Sequence, residues 1–420
     1  MKREFFTAEA RRHRESLFNF GMRRSSLLIL PGLLLCIAAA TTPAQIAVKG
    51  ETVWTMNGEP ITNGVVLVKE GKIETVGPAS SVRIPANYRV ISAKVVTPGL
   101  IDAHTVIGLN GYLNQPHDQM ALESSSAIQP ELRAIDAYNA EEKLIAWVRS
   151  FGVTTIHTGH QPSALVSGQT MIAKTTGENV DEATMVPTAM IAVTLGNSGI
   201  AGSGKSPGTR AKQIAMLRAE LIKAQESSKK ADAAKDLKTE ILAKVIKREI
   251  PLMITAQRSQ DIMSALRLAK EFNIRIVLDG AADAHMLIDE IKASGFPVIV
   301  HPTMARAGGD TANLSLTTAS KLKAAGIPTA LQSGYEGYVP KTRVVLFEAA
   351  MAAANGLSRS DALEMITIDA ARLLGIDART GSLAAGKDAD IALFDGDPFE
   401  FTTHCTGTII DGNVVSTVVR

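Results

Sequence analysis

Cysteine is nearly absent from this 420-residue chain, with only Cys36 and Cys405, too few for a disulfide scaffold or a thiolate zinc site. Aromatic residues make up only 4%, which argues against the base-stacking surface of a single-strand nucleic-acid binder. Neither sign of charge prevails: 44 basic and 42 acidic side chains leave +2, so electrostatics offers no case for a nucleic-acid partner. The apolar run Leu27–Ala40 has 14 residues, short of the ~20 that a membrane-spanning helix needs. What the chain does have is 45% hydrophobic residues and 33 glycines, enough for a large core and many turns. The length suits two domains, or one barrel with an appendage.

Arg23 and Arg24 precede the apolar run, and Thr-Thr-Pro-Ala closes it at Ala44. Basic, then apolar, then small is the order of an export signal. Residues 1–44 are therefore set aside from the fold, with Met22 as the expected start. They carry seven basic and three acidic side chains, so the remainder is close to −2 and keeps one cysteine. The expected location is periplasmic or extracellular, without membrane attachment once the signal is removed.

From Gln45 to Val96 the pattern is β, with Val65–Val68 and Ile73–Val76 flanking the Gly-bearing turn Lys69–Lys72. The chain end reads alike: Ile391–Phe394, Thr408–Ile410, the turn Asp411–Asn413, then Val414–Val418. Between them short apolar strands alternate with amphipathic helices, the pattern of α/β units around a parallel sheet. Eight strands are expected, at Leu100–Ala103, Val153–His157, Thr170–Ala173, Met190–Thr194, Leu252–Thr255, Ile274–Leu278, Pro297–Val300 and Pro328–Leu331. That number over this length is the size of a (β/α)8 barrel. A helical stretch at about 207–249 places Leu217, Leu221, Leu237, Ile241 and Val245 on apolar stripes.

Gly199–Ser206 fits the phosphate-loop pattern G-x-x-x-x-G-K-[ST] letter for letter. A working loop needs a helix starting at the Lys-Ser pair, with its N–H groups facing the phosphates. Pro207 and Gly208 follow instead, which removes a donor and delays the helix, so the segment reads as a loop.

Two motifs stand out: Thr97-Pro98-Gly99-Leu100-Ile101-Asp102-Ala103-His104 and Gly386-Lys387-Asp388-Ala389-Asp390-Ile391-Ala392-Leu393. With Gly152–Thr155, Ala265–Ala269 and Ile368–Arg372, they resemble the amidohydrolase superfamily, in its imidazolonepropionase-like branch. The resemblance runs from about residue 50 to the C-terminus. It implies a TIM-type barrel over 97–379 and a small β-sandwich domain built from both chain ends, 45–96 plus 380–420. It also implies metal-dependent hydrolysis of non-peptide C–N bonds, in which a metal lowers the pKa of bound water.

The family's first-strand ligands form a His-x-His pair, which here reads His104-Thr105-Val106. By the same resemblance the fifth-strand histidine falls at Thr255, the sixth near Asp279-Gly280, and the eighth-strand aspartate near Ser333-Gly334. Only His104 survives of five positions, so the usual metal centre is expected to be lost and no cofactor is assigned.

Four histidines fall at or just after expected strand ends: His104, His157, His160 and His301. Barrel sites are built at that face. The four suit a relocated zinc site, for which His104, His157 and His160 are the residual candidates, or a metal-free pocket, or three-dimensionally unconnected core positions. The loop after the eighth strand, Gln332–Tyr338, holds two of five tyrosines between glycines. There Glu336 is the candidate catalytic carboxylate, and Tyr335 and Tyr338, with His301, are candidate ligand-binding groups. His404 and Cys405 adjoin but cannot hold zinc as a pair.

The expectation is an exported, divergent or inactive hydrolase homologue with a small-molecule pocket at the barrel mouth. A hydrolase with a rebuilt histidine site, and a non-catalytic subunit with a protein partner, are the alternatives. N-terminal sequencing of protein secreted by its own host should find a start near Gln45; recovery of residues 1–21 on the soluble protein would refute the export signal.

Overall fold

A computed structural model describes residues 45–202, 204–229, 236–335 and 343–420; residues 1–44, expected to be an export signal, and Glu336 and Tyr338 lie outside them. Four strands come first: β1 (Ile46–Val53), β2 (Ile61–Lys69), β3 (Lys72–Pro78) and β4 (Arg89–Pro98). The middle of the chain supplies β5 (Leu100–Thr105), β6 (Val153–Thr158), β7 (Val166–Gln169), β8 (Met171–Lys174) and β9 (Thr184–Val186). It continues with β10 (Ile191–Thr194), β11 (Leu252–Thr255), β12 (Ile276–Gly280), β13 (Val298–Val300) and β14 (Thr329–Leu331). The end adds β15 (Ile391–Phe394), β16 (Cys405–Ile410) and β17 (Asn413–Ser416).

Both chain ends join in one seven-stranded sheet, ordered β17-β16-β15-β4-β1-β2-β3. Its hairpins turn where the sequence permits positive φ, at Glu70-Gly71 and at Asp411-Gly412. The second turn is two residues long, since Asn413 already pairs with Ile410.

The middle strands form a six-stranded sheet, β14-β13-β12-β11-β10-β7, and a four-stranded sheet, β5-β6-β8-β9. From β10 to β14 every neighbour is parallel. The segment 166–174 belongs to both sheets, through β7 in one and β8 in the other. At the opposite margins a parallel bridge links Thr105 with Gly334.

One expected strand differs in direction. Thr170–Ala173 should run parallel to its neighbours, yet β8 is antiparallel to β6, and β7 is antiparallel to β10. The reason lies in chain length: the connection from Thr158 to Val166 is far too short for a crossover, which needs a dozen or more residues.

Helices cover the outer faces. Ser259–Phe272 buries Ile262, Ala265, Leu266 and Ala269 at helical spacing, and Asn273 ends it in the left-handed conformation at φ 52°. The expected long helical stretch divides into Arg210–Ser227 and Leu237–Ile246, which bury Leu217, Leu221, Ile241 and Val245. Leu237 departs from that stripe, 69% exposed at the first position of its helix. The first of these helices starts only at Arg210, capped by Thr209, well beyond the Lys205-Ser206 pair. The glycine-rich segment therefore lacks the helix end that phosphate binding requires.

The reversed third strand has a structural use. Its end delivers the buried Lys174 to the terminal sheet, where Nζ reaches Asp388 at 2.9 Å, Asp390 at 3.2 Å and Asp411. Burial alone pulls the ammonium downward, but the carboxylates outweigh it and hold it above its ordinary range. Asp388, from the Gly386–Leu393 motif, also receives Lys72 and Arg379; burial is outweighed there, and its carboxyl is held down at about 2. Removing one partner of such a buried cluster strands the others. Lys174→Met should thus lower unfolding free energy by about 3–5 kcal/mol, read as a lower urea midpoint, whereas the same change at exposed Lys143 should be near neutral.

Candidate functional site

Side chains alternate along a strand, so the residue two beyond an inward apolar one also points inward. Ile101, Ala103, Ile172, Ala192, Met253, Val277, Ile299 and Ala330 form one buried apolar cluster. One pleat further on come Thr255, Asp279, His301 and Gln332, all buried. A polar layer therefore lies on an apolar floor, at the C-terminal ends of the parallel strands.

His104 enters that layer through an irregularity. Between β5 and β6 three steps, Asp102 to Thr105, match two, Ile156 to Thr158. One extra residue of this kind re-aims the side chains beyond it. His104 is fully buried, and its Nδ1 lies 2.8 Å from Asp279 Oδ1.

Asp279 is the hub. Oδ1 also accepts from Gln332 Nε2 at 2.9 Å, and Oδ2 accepts from Thr255 Oγ1 at 2.6 Å. Burial works to raise this carboxyl, but His104, Thr255 and Gln332 outweigh it and hold it below the usual range. The inward positions are thus Asp279 and Gln332, while the expected Gly280 makes the turn after β12 at φ 73°. A Cβ at Gly280 would come within 2.3 Å of the Gln257 amide, so a side chain here would displace that amide and strain the positive φ.

Asp102 bridges the seam between β5 and the residues after β14. It accepts the backbone N–H of Ser333 at 3.0 Å, the Ser333 hydroxyl, and the N–H of His104 at 3.3 Å. Gly334 N donates to His104 O at 3.3 Å across the same seam. Burial dominates at Asp102 and pushes its pKa up to about 6.

The four histidines do not form one cluster. His157 lies with its ring 6.1 Å from that of His104, but both its nitrogens are occupied, by Ala103 O and Thr170 Oγ1, each at 2.7 Å. It serves as a core bracket and not as a metal ligand. His160 packs against Gly168, where a Cβ would meet its ring at 2.5 Å. His301 belongs to the polar layer; its backbone N–H donates to Gly280 O at 2.7 Å and its Nδ1 faces Pro302 O at 3.1 Å. Burial lowers the pKa of all three, to about 4 for His157 and His160. Tyr335 stands over the layer, its ring 5.7 Å from His104 and its hydroxyl 3.4 Å from Gln257 Nε2. His404 and Cys405 diverge: His404 is exposed beside Asp395 and Cys405 is buried.

A divalent metal needs at least three donors with lone pairs to give. Both Asp279 oxygens are already hydrogen-bonded, Thr255 donates its proton to one of them, and buried Val106 offers no donor. His104 Nε2, His301 Nε2 and Gln332 Oε1 keep lone pairs without a partner, but only the two imidazoles are ordinary zinc ligands, and two are too few. The residues present do not fit the metal centre that the motifs imply. Among the described residues no group of three His, Cys, Asp or Glu is placed to share an ion.

These shifts set a pH dependence. His157 and His160 stay neutral in the fold to about pH 4, whereas the unfolded imidazoles protonate below 6.5, so acid costs stability through that window. Asp102 opposes them: its raised pKa favours folding in acid and loses that contribution as pH rises from 3.8 to about 6. Glu348, pushed up to about 7 by burial, opposes them as well, so two carboxyls offset two histidines and the net slope is small. His157→Gln removes one histidine contribution, so as pH falls from 6.5 to 4 its urea midpoint should fall less, or rise more, than that of the unaltered protein.

The amidohydrolase family model matches residues 106–416. An imidazolonepropionase from Brucella anthropi is 25% identical over 391 residues, covering 84% of this chain and 91% of its own. The crystal structure of an amidohydrolase from Thermotoga maritima superposes with a TM-score of 0.83 at 26% identity, covering 89% of this chain and all of that one. A zinc-bound adenosine deaminase from Xanthomonas campestris shares the fold alone, with TM-score 0.54, 14% identity, and 89% and 93% covered. The ordered α/β strands, the terminal sheet and these matches agree: the chain belongs to the amidohydrolase family.

Proposed function

We propose that this chain is a divergent amidohydrolase-family protein that binds a small polar ligand at its strand ends and does not perform metal-dependent hydrolysis. One observation carries the reading: the side chains converging where the family's ligand positions fall are engaged with Asp279 in place of a metal. A carboxylate at the centre reverses the charge that a catalytic cation would supply. The segment 166–174 and the Thr105–Gly334 bridge support reading the two middle sheets as one closed eight-position barrel, with this layer at its mouth. The order of residues 23–44 supports export.

A second reading has its own observation. Asp279 orients His104 so that Nε2 is left without a partner, the arrangement of a histidine general base. On this reading the protein hydrolyses a C–N bond without a metal.

Elemental analysis after dialysis, with hydrolysis assays on cyclic amides including the substrate of imidazolonepropionase, separates the cases. The proposal expects well under one equivalent of zinc and no turnover above background. Turnover that survives chelation and disappears in His104→Gln would establish the second reading. One tightly held equivalent of zinc with chelator-sensitive turnover would overturn both.

A further inference from the structure

The orphaned atoms of the polar layer have a defined chemical sign. Gln332 Nε2 faces two groups that only accept, Asp279 Oδ1 at 2.9 Å and the Ile299 carbonyl at 3.4 Å. The amide orientation is thereby fixed, and Oε1 is an acceptor, buried and without a partner. The carboxylate hub accepts a hydrogen bond from His104 Nδ1, and in the neutral imidazole this leaves Nε2 as a second buried acceptor without a partner. Both side chains are completely buried, and both hold the same oxygen of Asp279 by their donor atoms, so each acceptor belongs to a group anchored on that one carboxylate.

Charge points the same way. With His104 neutral, the hydrogen-bond partners of Asp279, an imidazole, a hydroxyl and an amide, bring it no charge. Buried acceptors seek donors, and a buried carboxylate seeks a cation. We propose that the site receives a compact organic cation rich in N–H donors, an amidinium or guanidinium group, which donates to His104 Nε2 and Gln332 Oε1 while Asp279 balances its charge. A planar cation of this kind offers paired N–H groups in a fixed geometry, which a quaternary ammonium lacks. The Tyr335 ring beside His104 supplies an aromatic wall of the sort cations favour.

This inference rests on the metal-free reading, and the experiment separates the two. Acetamidinium would be titrated into the purified protein at constant ionic strength, by calorimetry and by NMR of the histidine ring nitrogens. Neutral acetamide, acetate, tetramethylammonium and zinc would run in parallel. Acetamidinium should bind at least tenfold more tightly than acetamide or tetramethylammonium, and should shift the His104 Nε2 resonance. Gln332→Met should weaken it at least tenfold. If that variant fails to fold, the NMR titration of the unaltered protein decides. Equal binding of acetamide, preference for acetate, an imidazolium at His104 in the free protein at neutral pH, or no binding of any probe would each overturn the cation assignment alone. Tight zinc binding that excludes acetamidinium would overturn the metal-free reading beneath it.

Discussion

The Asp279 carboxylate ties together strand ends that are far apart in sequence. Through it the first strand of the middle region, by His104, meets the end of β11, by Thr255, and the residue just after β14, by Gln332. Each of these side chains is buried, and each spends its best hydrogen bond on this one group. An interior carboxylate is tolerated only when its oxygens are satisfied, so the hub and its three donors form one unit in which no member is expendable. Asp102 does the same for the seam, through Ser333 and the His104 backbone, and His104 is the residue the two carboxylates share.

A second buried cluster organises the far end. Lys174 gathers carboxylates from the segment leading into β15 and from the β16–β17 turn, so one ammonium joins the terminal sheet to the middle sheets. The Gly386–Leu393 motif gains a physical meaning from this: Asp388 and Asp390 hold the cation. The Thr97–His104 motif has one too. At Gly99 a Cβ would collide with the Thr154 side chain, so only glycine lets β4 run on into β5 beside β6.

Much of this was legible in the residues. Leu252–Thr255 stands as expected to the residue, and most other middle strands stand within two, because short apolar runs bounded by turns carry their own limits. Strand direction was not legible, since periodicity is blind to polarity and the short Thr158–Val166 connection was the only signal. Asp279 was visible as a carboxylate ending an apolar strand. Its role depended on meeting His104, 175 residues away, and on the bulge that turns His104 inward. Gln332 and Lys174 gave no local signal, because a polar residue after a strand looks the same whether it meets solvent or a buried charge. The histidines misled in the opposite sense: of four at strand ends, His157 has both nitrogens bound within the protein.

The reversed strand segment 166–174 also has a mechanical meaning. Thr170, within it, braces His157 beside the polar layer, and Lys174, four residues on, is locked into the terminal sheet. A fully extended chain of this length is nearly inextensible along its axis. The segment is therefore a tie rod: a load applied to the terminal sheet passes along it to His157, the neighbour of His104.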